Sequence, residues 1–75
     1  MHTEPHRSPP EITVIMQPQG KAFTMPRPKT VQQLLRKLDV NRGTALVIRD
    51  GGLLTDDREI LTGDTITVRI VTSSG

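Results

Sequence analysis

The chain of 75 residues contains no cysteine, no tryptophan and no tyrosine, and Phe23 is its one aromatic residue. Without cysteine it has no disulfide, no thiolate metal site and no cysteine nucleophile. Its core must come from aliphatic side chains. Without an aromatic platform, and with 10 Lys/Arg against 8 Asp/Glu for a net charge of +2, it lacks the dense basic stripe and stacking surface of a nucleic-acid binder. The densest basic group, Arg27, Lys29, Arg36 and Lys37, reads as a solvated face. No apolar run approaches the roughly 20 residues that cross a bilayer, and residues 1–11 lack the apolar centre of a secretory signal. The expectation is a cytoplasmic protein with no membrane and no direct nucleic-acid partner. A chain this short makes one small domain, burying roughly 60% of the surface that its unfolded state exposes.

What is present is patterned. Residues 1–10 hold three prolines, two histidines and almost nothing apolar, so this leader is expected to be disordered. His2 and His6 have the spacing of a helical metal pair, but Pro5, Pro9 and Pro10 oppose a helix there, and no metal is expected. From Glu11 to Gln17, Ile12, Val14 and Met16 alternate with Thr13, Ile15 and Gln17, the period of a strand. Pro18-Gln19-Gly20-Lys21 is a turn signal. Lys21 to Met25 then completes an antiparallel hairpin, which Pro26 and Pro28 end.

Thr30 opens a helix. T-V-Q-Q sets a hydroxyl at the N-cap and an amide three residues on, a capping-box spacing. Val31, Leu34, Leu35 and Leu38 form one apolar stripe over about two turns, and Arg36 and Lys37 suit the C-terminal end of the helix dipole. Asn41-Arg42-Gly43 breaks it. Thr44 to Arg49 is a third strand. Its near-continuous Ala45-Leu46-Val47-Ile48 suits a strand covered on both sides.

Asp50-Gly51-Gly52 is a turn, and Leu53-Leu54 a brief strand. The glycine pair lacks the Lys-Ser/Thr and the helix of a phosphate loop. Thr55 to Leu61 is a loop or a single turn of helix that tucks either Ile60 or Leu61 under the domain. Asp56, Asp57, Glu59 and Asp64 concentrate acid but have neither calcium-loop spacing nor a nearby histidine, so solvation is expected. In the last strand, Ile66, Val68 and Ile70 face one way and Thr67, Arg69 and Val71 the other.

The resulting order, β-β-α-β-β-β, is α+β: a mixed sheet of four to five strands with one helix on one face. The first and last strands should be adjacent and central. Ile12, Val14, Val31, Leu34, Leu35, Leu38, Ile66, Val68 and Ile70 should share the core. The organisation expected is a leader over 1–10, a domain over 11–71 and a flexible tail over 72–75. No nucleophile–base pair, metal cluster or cofactor loop appears in the sequence, so the chain is not expected to be an enzyme.

Over residues 11–75 this order resembles the ubiquitin-like β-grasp fold, and its ending resembles the prokaryotic sulfur carriers. These include the thiamin-pathway carrier, the small subunit of molybdopterin synthase and the carriers of tRNA thiolation. The stretches that carry the resemblance are T-V-Q-Q-L-L-R-K-L, T-A-L-V-I-R-D-G-G-L-L, G-D-T-I-T-V-R-I-V and the final S-S-G. From Val40 onward the spacing is most similar to the tRNA-thiolation carriers. The family pattern ends Gly-Gly, whereas this sequence ends Ser74-Gly75.

The resemblance implies a protein cosubstrate of an ATP-dependent adenylating enzyme. The Gly75 carboxylate would be adenylated and converted to a thiocarboxylate, with Thr72, Ser73 and Ser74 entering the partner's channel. Ile15, Thr67, Arg69 and Val71 would lie on the docking face, Ile15 and Val71 as apolar neighbours. ATP would belong to the partner, and this chain would bind no cofactor. A sulfur donor such as a cysteine desulfurase would precede it and a synthase or thiolation enzyme would follow. The alternatives are a ubiquitin-like interaction module or a protein modifier that carries no sulfur.

Overall fold

A computed structural model describes residues 10–71. The leader expected over 1–10, all but Pro10, and the tail expected over 72–75 lie outside the described residues.

Five strands and one helix are observed. They are β1 (Glu11–Gln17), β2 (Lys21–Pro26), α1 (Val31–Leu38), β3 (Ala45–Arg49), β4 (Gly52–Leu53) and β5 (Thr65–Ile70). They form one mixed sheet in the order β2-β1-β5-β3-β4. β1 and β5 run parallel, and β1–β2, β3–β5 and β3–β4 run antiparallel. The result is an α+β arrangement compatible with a β-grasp-like fold.

The helix forms where the capping residues require it. Thr30 is extended, and its side-chain oxygen accepts from Gln33 N at 3.3 Å. The return half of the expected capping box is displaced by one residue: the Gln33 amide oxygen accepts from Lys29 N at 3.0 Å. The helix ends at Leu38, the last residue of the expected stripe. Asp39 takes the left-handed conformation at φ 59°, and its N–H bonds back to the carbonyl of Arg36. The expected breaker, Asn41-Arg42-Gly43, opens a short 3-10 turn instead, with the Asn41 carboxamide oxygen accepting from Gly43 N at 2.8 Å. Asp50 and Gly51 have φ 54° and 78°, both positive, as the tight turn between β3 and β4 requires.

The helix covers one face of the sheet. Ile12, Val14, Val31, Leu34, Leu35, Ile66 and Val68 are buried together, as the apolar periods required. Leu38 and Ile70 are only partly buried against this core, while Val47 and Ile60 complete it. Ile60 rather than Leu61 is the residue tucked under, with Ile60 at 0% and Leu61 at 53% exposure. Two hydrogen bonds hold it there. Its N–H donates to the Lys29 carbonyl, and its carbonyl accepts from Arg27 Nη1 at 2.9 Å. Arg27 thus belongs to the fold rather than to a solvated basic face.

β3 corrects a second expectation. Only Val47 of its five residues is buried, and Leu46 is 40% exposed. The strand is covered on one side, because the single helix can shield only one face of the sheet.

The two ends of the sheet differ. β5 finishes at Ile70, opposite Ala45, and Val71 N then donates to the Thr44 carbonyl at 2.8 Å. This exit end also carries the start of β2. α1 begins at the opposite end, where Val31 N donates to the Arg58 carbonyl and Thr30 bridges Glu59. Its eight residues rise about 12 Å and bring its last turn to the exit end.

Candidate functional site: the open sheet face

The strand registers define the uncovered face. Across it runs one row: Ala22 on β2, Ile15 on β1, Thr67 on β5, Ile48 on β3 and Leu53 on β4. The next row towards the exit end is Gln17, Arg69 and Leu46. Towards the opposite end the row is Thr24, Thr13 and Thr65. Not one of these residues is buried. Leu53 is 67% and Val71 46% exposed. The face therefore grades from threonines at one end to aliphatic side chains around Thr67 and Arg69 at the other.

Ile15 and Thr67 are direct cross-strand partners. Arg69 lies one row further on, between Gln17 and Leu46. Ile15 and Val71 are not neighbours, contrary to expectation. Ile15 pairs with Thr67, and Val71 lies four residues further along the chain, about 13 Å away at strand rise. The adjacency of β1 and β5 is as expected; their register separates the two side chains. Leu46, Ile48 and Leu53 extend the apolar row, and sequence reasoning missed them because it took β3 as covered on both faces. The available signal was alternation about Val47, with Leu46 and Ile48 on the other side.

Gly75 and the tail residues Thr72, Ser73 and Ser74 lie outside the described residues. What is described is their point of attachment. Val71 is tied to Thr44, so the chain continues from the middle of the sheet rather than from an edge.

The acidic segment is more structured than solvation implies. Arg49 Nη1 and Asp64 Oδ2 pair at 2.7 Å with both side chains only 18% exposed. The same carboxylate oxygen accepts from Leu61 N at 2.9 Å, and Arg49 Nη1 also donates to the Glu59 carbonyl at 3.2 Å. Arg49 thereby staples the loop that carries Ile60 to the end of β3. Arg42 and Asp56 pair at 2.7 Å in a more exposed setting. The Thr55 hydroxyl donates to Asp57 at 2.6 Å and holds that carboxyl below its ordinary pKa. A backbone hydrogen bond and the adjacent Arg58 act in the same direction.

Among the described residues, no group of three or more His, Asp or Glu side chains is placed to hold a metal ion. An open hollow of about 340 Å³ lies at the C-terminal end of α1, lined by Leu35, Arg36, Asp39, Val40 and Asn41. It belongs to the helix layer, not to the open face. No described helix is long and apolar enough to cross a membrane. No protein-family model and no curated protein matches the chain.

Proposed function

We propose that the chain is a sulfur carrier of the ubiquitin-like β-grasp type, whose Gly75 carboxylate is adenylated by a partner enzyme and then converted to a thiocarboxylate. The observation that supports this reading is the position of β5. It is the central strand, it carries Thr67 and Arg69 on the uncovered face, and the chain continues from its end towards Gly75. A docking face and a segment to be threaded into a partner thus share one strand. Four residues from 72 to 75 reach at most about 14 Å beyond Val71, which sets the depth of the channel that such a partner would need. The narrow side chains of Ser73 and Ser74 suit a tight channel, where any Cβ costs clearance.

The chemistry needs a free carboxylate and no side-chain catalyst. A carboxylate oxygen attacks the α-phosphorus of ATP and pyrophosphate leaves, giving an acyl adenylate. Sulfide then attacks the acyl carbon, the C–O bond to AMP breaks, and a thiocarboxylate remains. If the nucleophile is a persulfide, such as that formed on a cysteine desulfurase, the acyl disulfide that results is opened by a second thiol. A downstream synthase or tRNA-thiolation enzyme accepts the sulfur. The chain is then a cosubstrate in the cytoplasm, and ATP is bound by its partner.

Intact mass tests this reading. Protein isolated from its native cells should include a species in which one oxygen of Gly75 is exchanged for sulfur, and a thiol-directed alkylating probe should shift that species further by the mass of the added alkyl group. If only plain carboxylate is found, even after incubation with ATP, a sulfur source and native extract, the carrier reading fails.

A second reading is favoured by the apolar row and by Ser74, which stands where the family pattern has glycine. It is an interaction module that docks through the open face and is never activated. Deleting Gly75 separates the two, since a module keeps its function and a carrier loses it.

A further inference from the structure

The sheet has two edges of different kinds. On one side β4 has 2 residues, and on the other β2 has 6. The hydrogen bonds around β1 fix which backbone groups β2 turns outward. Arg27 N donates to the Pro10 carbonyl at 3.0 Å, continuing the β1–β2 register by one hydrogen-bonded pair. Such pairs alternate along an antiparallel ladder. Lys21, Phe23 and Met25 therefore bond towards β1, while Ala22 and Thr24 aim their N–H and C=O groups away from it. Thr13, the partner of Thr24, accordingly donates to the Asp64 carbonyl on its other side at 2.9 Å. Pro26 falls next in the outward series, where its missing N–H costs the ladder nothing. Among the described residues, no backbone bond reaches Ala22 or Thr24 from the outer side. Lys21 and Pro26 guard the two ends of this edge, and the residues between them are uncharged. At their centre Phe23 is 38% exposed, although its cross-strand partner Val14, on the helix-covered face, is completely buried.

We propose that β2 pairs antiparallel with β2 of a second copy of this chain, across a two-fold axis at Phe23. The edge itself selects this occupant. Ala22 and Thr24 lie symmetrically about Phe23, so Ala22 faces Thr24 of the second copy and Thr24 faces its Ala22. Each such pair exchanges both N–H···O bonds, and every outward group of the two residues finds a partner. Phe23 then meets its own counterpart in the closely spaced, non-hydrogen-bonded position, where cross-strand aromatic pairs add stability. Lys21 falls opposite Met25 rather than opposite another lysine. Pro26 falls opposite Gly20, whose N–H is already committed to the Met16 carbonyl at 2.7 Å, so the ladder ends there with no donor stranded. An extended segment of another protein would meet the same backbone groups, but nothing in β2 provides it with such a match. The contact is isologous and closes at two copies, because β4 is too short to continue the sheet from the other edge. It is also small, so the dimer is weak and forms as concentration rises. Both open faces stay uncovered, and the two β5 strands run in opposite directions about 24 Å apart, the width of five strand spacings. The proposal goes beyond the carrier reading and does not rest on it.

The test uses the full chain, part of it labelled with nitrogen-15 and carbon-13 and part unlabelled, followed by nuclear magnetic resonance from micromolar to millimolar concentration. Amide shifts that grow with concentration should gather at Ala22, Phe23 and Thr24. The Ala22 and Thr24 amides should exchange more slowly with solvent as the dimer forms. A contact between the Phe23 α-protons of labelled and unlabelled chains should fix the register. Phe23→Lys, which sets two ammonium groups opposite each other, should weaken association at least about tenfold. An equimolar mixture of Phe23→Lys and Phe23→Glu chains should recover it, which a variant that merely fails to fold would not do. Thr24→Pro removes one outward N–H at a position where an edge strand tolerates proline, and it should weaken association as well. Leu53→Lys, on the opposite edge, should leave it unchanged. No concentration dependence up to millimolar, shifts confined to the open face, or a charge-paired mixture that does not associate would overturn the proposal. Protection of Ala22 and Thr24 that is equal at every concentration would also overturn it, since the occupant would not be a second copy. None of these results depends on the state of Gly75.

Discussion

Ile66 and Val68 on β5 are completely enclosed, whereas Thr67 between them is half-buried and Arg69 beyond them is exposed. One strand serves two regions that obey different rules. On the covered face, each side chain meets α1 or a neighbouring strand, and the apolar residue present is the one that fills the space. On the open face, an aliphatic side chain such as Leu53 fills nothing within the described residues. Five strands and one two-turn helix leave this asymmetry, because the helix has area enough for one side of the sheet only.

Truncating matched side chains on the two faces tests the contrast most severely. Ile66→Ala should cost about 2–5 kcal/mol, through lost burial and the cavity left behind. Ile48→Ala, on the open face of the adjacent strand, should cost roughly 1 kcal/mol or less. Urea unfolding reads both, and equal losses would mean that the open face is packed as tightly as the core.

Asp64→Ala removes the half-buried partner of Arg49 and the acceptor of Leu61 N. A loss of about 1–3 kcal/mol is expected, with faster amide exchange at Ile60 and Leu61 showing that the stapled loop has loosened. A stability change without faster exchange there would assign the pair to some other part of the fold.

Val71→Asp should move stability by no more than about 0.5 kcal/mol. It should nevertheless weaken binding to the proposed adenylating partner, because it puts a charge beside the aliphatic groups of the open face and removes one of them. Binding at the parent's strength would remove Val71 from the docking face.

The smallest effect expected is electrostatic. Thr55→Ala should raise the pKa of Asp57 towards its ordinary value, since the hydroxyl that favours the carboxylate is gone. A lowered folded pKa contributes stability that is complete above the ordinary carboxylate pKa and is lost as pH falls through the lowered one. The variant should therefore differ from the parent at neutral pH and converge with it in acid. A carbon-13 titration of the Asp57 carboxyl checks the shift directly, and an unchanged pKa would mean that the Thr55 hydroxyl does not set it.

Much of the architecture was legible in the residues. Glu11–Gln17 alternates cleanly and forms a strand over that range. The helix between Thr30 and Leu38 is announced by its cap and its stripe. Where signals were ambiguous, the expectations were too. Ala45-Leu46-Val47-Ile48 is apolar throughout, so its period could not say which face was covered. Ile60 and Leu61 are equally apolar, and only the bonds to Lys29 and Arg27 select Ile60. The Arg49–Asp64 pair joins residues fifteen apart that no short pattern connects. The candidate face was half legible. Thr67 and Arg69 came from alternation on β5, while Leu46, Ile48 and Leu53 needed the register of β3 and β4.

By itself the sequence determined the elements: five short extended segments, one capped amphipathic helix, and turns at glycine, proline and aspartate. These are encoded within a few neighbouring residues, through side-chain period, allowed φ and local hydrogen bonding. The tertiary structure alone decided how the elements meet. It separated Ile15 from Val71 and assembled the apolar row across four strands. Each of these depends on the pairing of β5 with strands far from it in sequence. A strand's own alternation is satisfied equally well by several registers that differ by two residues, and it is the shared core beneath α1 that leaves one.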